Sequence, residues 1–111
     1  MIHREQTAST VEELVALTKE AGVRQIVVSG ELEKVPALRL SPGQSLRGEN
    51  ASSALSFTDG SDGVQLSSNN QIIDIRITTH PEKRAIFNDT RVETLGQIEL
   101  RSVTTTGRVQ I

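Results

Sequence analysis

Two carboxylates in a glycine-rich turn form the best metal-binding pattern in this sequence. Asp59 and Asp62 lie within the segment Asp-Gly-Ser-Asp-Gly, and carboxylate oxygens suit a hard cation such as calcium. The segment lacks the ligand spacing of an EF-hand loop, so both residues are weak candidates. The preferred interpretation is a tight turn whose aspartates accept hydrogen bonds from backbone N–H groups. We therefore predict no cofactor and no metal.

A second group of ionisable residues surrounds Pro81. His80 could act as a general base with Glu82 orienting it, but no nucleophile lies at a suitable spacing. The chain has no cysteine, so thiol chemistry and disulfides are excluded. Pro81 marks a loop, and a solvated turn is the better interpretation. We predict no catalytic residues.

The amides and arginines that alternate with apolar residues could contact a ligand. Asn69 and Asn70 more often bond to backbone at the aligned turns of a coiled β-fold. The glutamines at positions 44, 71 and 97 favour a ladder along one edge of the coils. Four arginines occupy outward strand positions and could form a basic strip for an acidic polysaccharide: Arg39, Arg47, Arg76 and Arg101. Acidic residues interleave with them, so a neutralised solvent face is favoured, with Arg76 and Arg101 as weak ligand-face candidates.

The composition excludes several classes of partner. The 111 residues carry 12 Lys and Arg against 14 Asp and Glu, with no basic stripe, which argues against nucleic acid and an anionic membrane surface. Two phenylalanines are the only aromatic residues, which disfavours stacking on sugars or single-stranded nucleic acid. No signal peptide or membrane-span pattern occurs. We expect a soluble chain and leave its compartment open.

The sequence predicts one helix. Ser9 or Thr10 can cap its beginning in a capping box, and apolar residues then recur at helical spacing up to the glycine stop at Gly22. The helix is predicted at about residues 10–21. The resulting division is a flexible N-terminus at 1–8, a capping helix at 9–22 and stacked coils at 23–111.

Beyond Gly22 the apolar residues alternate at i, i+2 in short runs separated by turn signals, which is the pattern of strands. Three segments have the form aliphatic–turn–Gln–aliphatic, with glutamines 27 and 26 residues apart. A repeat of this length indicates stacked supersecondary units. Aligning the glutamines predicts three walls. The first holds Leu46, Ile73–Ile77 and Ile98–Leu100; the second holds Leu38–Leu40, Val64–Leu66 and the stretch around Val92; the third holds Leu55–Phe57, Ala85–Ile86 and Val109–Ile111.

The segments Gly63–Thr78 and Ser41–Gly48 resemble the coils of pectate-lyase-like proteins, in which an asparagine turn precedes an aliphatic strand. The resemblance implies an all-β, right-handed parallel β-helix of about three to four coils with an N-terminal capping α-helix. The calcium-binding aspartates and catalytic basic residue of pectate lyases have no counterparts here, so the resemblance transfers a fold and no site. An open β-sandwich or jelly roll capped by one helix is the structural alternative.

The C-terminal segment Thr104–Ile111 resembles an unfinished coil, which would expose unpaired strands and an apolar cross-section. Two explanations are open: a truncated, longer β-helix, or pairing with a second copy in an isologous dimer. The leading expectation is a non-enzymatic structural module, the helix-capped N-terminal fragment of a β-helix protein, that forms a homo-oligomer through its open C-terminal coil with Val103, Val109 and Ile111. The alternatives are the N-terminal section of a polysaccharide-active lyase or hydrolase with its active site on absent coils, and a calcium-stabilised adhesin segment.

Overall fold

The computed structural model describes residues 5–20, 22–50, 52–58, 60–88 and 96–110. Within them the chain forms one helix, α1 (Val11–Thr18), and a series of short strands. The strands are β1 (Glu5–Ala8), β2 (Gln25–Val28), β3 (Glu31–Val35), β4 (Leu38–Arg39), β5 (Ser45–Gly48), β6 (Ala54–Phe57), β7 (Val64–Leu66), β8 (Gln71–Thr78), β9 (Arg84–Asn88), β10 (Glu99–Thr106) and β11 (Arg108–Gln110).

Every strand pair in this part of the chain is parallel, and the strands stack as a β-solenoid of about four turns. Wall I contains β1, β2, β5 and the first halves of β8 and β10. Wall II contains β3, β6 and the second halves of β8 and β10. Wall III contains β4, β7, β9 and β11. The predicted parallel solenoid is confirmed, and the sandwich and jelly roll are wrong.

Aliphatic columns that run along the stack form much of the core, and each wall contributes one that continues through all its coils. Parallel in-register pairing places equivalent side chains directly above one another, so one inward residue per coil continues the column. The columns are Ile26–Leu46–Ile72–Leu100 in wall I, Leu32–Leu55–Ile77–Thr105 in wall II and Leu38–Val64–Ile86–Val109 in wall III. The first three members of each column are buried.

A left-handed residue lies at the corner between walls I and II in three of the coils. Gly30 (φ 79°) lies at this corner in the first coil, whereas Asp74 (φ 54°) and Ser102 (φ 53°) take its place in the third and fourth. A left-handed residue other than glycine is uncommon, but it lets a strand bend without a longer turn. As a result β8 and β10 each continue from wall I into wall II.

The helix caps the N-terminal end of the core. The Thr10 side chain accepts a hydrogen bond from the Glu13 N–H (3.2 Å), and the Glu13 carboxylate accepts bonds from the Ser9 hydroxyl and N–H. These bonds with Ser9 lower the pKa of Glu13. Leu14 is fully buried, and α1 contacts β1 to β4. The predicted cap by Thr10 is confirmed, whereas the Glu13 carboxylate bonds to the N–H of Ser9, the residue before the N-cap. The helix is not long and apolar enough to cross a membrane.

Three sequence predictions require correction. Residues 5–8, assigned to the flexible N-terminus, form β1 and pair with β2. The helix ends at Thr18, and its C-cap is Lys19 in a right-handed conformation (φ −89°), instead of a left-handed stop at Gly22. Ala85–Ile86 and Val109 share wall III with Val64–Leu66, whereas Leu55–Phe57 lies on wall II beside the second half of β8. Val92 lies outside the described residues.

Candidate functional site

The C-terminal coil, formed by β10 and β11, exposes the continuation of the core. Leu100 is 37% exposed and Val109 is 47% exposed, whereas Ile72 and Ile86, their partners one coil below, are each 0% exposed. Val103, in register with Ile75, is half-buried and packs against the core. Together these residues form an apolar cross-section, which we call the end face.

Among the strands that the structure describes, those at the end face are paired along one edge each. β10 pairs with β8 and β11 pairs with β9, and across the residues that the structure describes no strand lies on their other edge. Free strand edges carry N–H and C=O groups that can pair with a further strand. The end face therefore combines exposed apolar side chains with backbone ready for pairing.

The opposite end of the solenoid is closed by side-chain hydrogen bonds as well as by packing. Gln44 is buried, and its Nε2 donates to the carbonyls of Leu17 and Glu20, at 3.0 Å each. The Ser41 hydroxyl donates to the Thr18 carbonyl at 2.7 Å. The Leu17 and Glu20 carbonyls also accept backbone bonds from the N–H groups of Glu20 and Val23, so the Gln44 amide is an additional donor to the turn that follows the helix. The two coil residues therefore fix the helix to the stack, leaving the two ends of the molecule different.

The predicted self-association residues Val103 and Val109 both lie on the end face, while Ile111 lies outside the described residues. The sequence pattern that placed them there was alternation along the strand. Leu100 was missed as a contact residue, although its alternation with Glu99 and Arg101 could have identified it. Their role in self-association stays a prediction.

The two ligand-face candidates are not brought together. Arg76 lines a polar groove of about 420 Å³ at the corner of walls I and II. Arg101 lies on wall I, exposed and in register with Ile73. Arg47 also lies on wall I, where its guanidinium nitrogen is 3.8 Å from a carboxylate oxygen of Glu5. Arg39 lies on wall III. The four arginines are thus distributed over three walls and do not form one strip.

The weak metal candidate Asp62 is engaged by an arginine. Its carboxylate accepts hydrogen bonds from the Arg84 guanidinium (2.8 Å) and the Arg84 N–H (3.0 Å). These bonds hold the pKa of Asp62 below its usual value. Asp59 lies outside the described residues. No group of three or more histidine, cysteine, aspartate or glutamate side chains could hold a metal in the part of the chain that the structure describes.

His80, the candidate general base, lies at a turn. His80 Nδ1 accepts a hydrogen bond from the Glu82 backbone N–H at 3.2 Å. The ring nitrogen is therefore bonded to the backbone of Glu82. A general base oriented by Glu82 would instead be bonded to the Glu82 carboxylate. His3 lies outside the described residues.

Asn70 confirms the preferred interpretation of the asparagine pair. Its Nδ2 donates to the carbonyls of Ser41 and Gln44 in the preceding coil, and its Oδ1 accepts from the Ser67 N–H. The predicted glutamine ladder is wrong. Gln44 occupies the corner position of Asn70, whereas Gln71 is exposed and lies beside Ser45.

The fold defines the chain as a parallel β-solenoid with one helix-covered end. No protein-family model matches the chain, and no curated protein or solved structure matches it.

Proposed function

We propose that the chain is a non-enzymatic structural module that associates with a second copy of itself through the end face. The observation that carries this proposal is the loss of burial within one coil: Ile72 and Ile86 are 0% exposed, whereas Leu100 and Val109 are 37% and 47% exposed. Covering those side chains and pairing the free edges of β10 and β11 removes apolar surface from water and satisfies backbone groups.

The proposal is tested by measuring the solution mass by size-exclusion chromatography with light scattering over a wide concentration range. We expect the wild-type chain to form a discrete oligomer and Val109→Asp to be monomeric, because the new carboxylate would be buried unpaired in the interface. Thr7→Asp is the matched control, since it adds the same charge at an exposed wall I position on β1, at the other end of the stack. A wild-type monomer at every concentration, or an unchanged mass for Val109→Asp, contradicts the proposal.

As a second candidate function, we propose that the chain is a section of a polysaccharide-active protein related to the pectate-lyase-like solenoids. The asparagine corner at Asn70 and the position of Arg76 in the polar groove support it. We expect calorimetric titration with an acidic polysaccharide such as polygalacturonate to show binding that Arg76→Ala weakens. Arg101→Ala, outside the groove, should bind as the wild type does. Absence of heat with the wild-type chain counts against this function.

A further inference from the structure

The end face has a shape and a charge pattern that select one mode of self-pairing. Resting on the proposed function, we propose that two C-terminal coils pair antiparallel about a two-fold axis passing through Leu100 and Gly107. In this arrangement Glu99 of each copy lies opposite Arg101 of the other. The occupant of the end face is therefore a second copy of this chain in a defined register.

The direction of the strands follows from the covered helical end. Because α1 packs over β1 to β4 at the N-terminal end, the proposed pairing brings the two end faces towards each other. Two identical faces in this orientation are related by a two-fold axis perpendicular to the solenoid axis, and their strands then run antiparallel. A coil with three walls offers three such axes, each passing through the middle of one wall and the opposite corner.

The axis through wall I places inward side chains opposite inward side chains at the middle of wall I and where wall II meets wall III. Leu100 is the middle of wall I, which ends at the Ser102 corner, and it meets its own copy. Gly107 (φ 116°) makes the opposite corner, so wall II pairs with wall III of the second copy. Thr105 then lies opposite Val109, and both belong to the inward columns above Ile77 and Ile86. The apolar columns therefore continue into the second copy.

The other two axes are less favourable. The axis through Ser102 and the middle of wall III places the outward Arg101 opposite the inward Val103. The axis through the middle of wall II places Arg101 opposite Arg108, and like charges directly opposite each other destabilise a strand pair. The axis through wall I instead gives an opposite-charge pair, Glu99 with Arg101, and the symmetry makes it twice.

Charge exchange tests the register. Glu99→Arg and Arg101→Glu each create two like-charge pairs across the two-fold axis, so we expect each single variant to raise the dimer dissociation constant about tenfold or more. The double variant Glu99→Arg/Arg101→Glu restores opposite charges and should return the constant close to that of the wild type. All four chains are compared by light scattering in a dilution series at low salt, since exposed pairs are screened at high salt.

Disulfide trapping gives an independent test, because the chain has no cysteine of its own. Directly opposed residues of antiparallel strands lie within disulfide range. Under mild oxidation we expect Leu100→Cys to yield a covalent dimer and Thr105→Cys to yield none. The double variant Thr105→Cys/Val109→Cys should form an intermolecular disulfide, seen on non-reducing gels.

The outcomes separate the register from the function. A wild-type chain that stays monomeric overturns the proposed function and the register together. The register alone is overturned by a different set of results. In that case the wild-type chain is a dimer that Val109→Asp dissociates, but the charge-exchanged double variant does not recover dimerisation and Leu100→Cys does not cross-link. Recovered dimerisation of the charge-exchanged double variant, together with the two expected disulfides, establishes the register.

Discussion

At the scale of single residues, buried amides connect one coil to the next. Gln44 and Asn70 occupy equivalent corners, and each accepts a hydrogen bond from a serine N–H three residues earlier, Ser41 at 3.0 Å and Ser67 at 2.7 Å. Each side-chain nitrogen donates to two carbonyls towards the N-terminal end of the stack. A buried backbone group without a partner is costly, so these amides are essential to the corners.

Asn70→Leu provides a test of this role. The apolar side chain has a similar size but leaves the Ser67 N–H and the carbonyls of Ser41 and Gln44 without their side-chain partner. We expect a loss of about 2–4 kcal/mol in the free energy of unfolding, measured by urea denaturation. The exposed neighbour serves as the control: Gln71→Ala should cost no more than about 0.5 kcal/mol. Equal effects for the two variants would show that the buried amide contributes no more than an exposed one.

The chemistry of these residues was easier to predict than their register. The sequence correctly assigned Asn70 to backbone bonding, because an amide between two strands has few other partners. The glutamine alignment was wrong by one position, since Ser45, and not Gln44, pairs with Gln71. A buried amide can be Gln or Asn, and residue identity alone does not separate the inward corner position from the exposed position after it.

At the scale of elements, local signals predicted α1 and failed for β1. The helix has an N-cap threonine and an apolar stripe, both encoded within its own segment. β1 has the sequence Glu-Gln-Thr-Ala, with only Ala8 buried, so nothing in it alternates between apolar and polar. It forms a strand because β2 supplies the backbone partners. A strand that depends on its neighbour leaves little trace in its own composition.

The walls were partly misassigned because the coils differ in length. Gln25, Ser45, Gln71 and Glu99 are aligned in register, although they are 20, 26 and 28 residues apart in the sequence. A fixed period of 26 or 27 residues therefore drifts between coils. The bend at Asp74 adds to the error, because a left-handed aspartate within an aliphatic run carries no glycine or proline signal.

At the scale of the whole molecule, a solenoid must manage two ends, because each coil buries its core only against its neighbours. Here α1 covers one end, with Leu14 fully buried, while Leu100 and Val109 remain exposed at the other. If the proposed pairing of end faces occurs, it forms a closed assembly that stops at two copies. In that assembly α1 packs over the end of each copy to which a further copy would have to add.

Deleting residues 1–22 is therefore expected to convert a closed dimer into filaments. The deletion removes β1 and α1 and exposes the edge of β2, which can pair in parallel with β10 of another copy. Such head-to-tail contacts do not close, so they propagate. Electron microscopy should show fibres, and aligned fibres should diffract at the strand spacing of about 4.7–4.9 Å.

Combining the deletion with Val109→Asp gives the control, because every head-to-tail contact uses one end face. We expect the added charge to suppress the fibres and leave species of low mass in light scattering. If the deleted chain stays a discrete dimer, α1 does not limit assembly. If it aggregates equally with and without Val109→Asp, the aggregation does not proceed through the end face, and the asymmetry of the two ends does not control the size of the assembly.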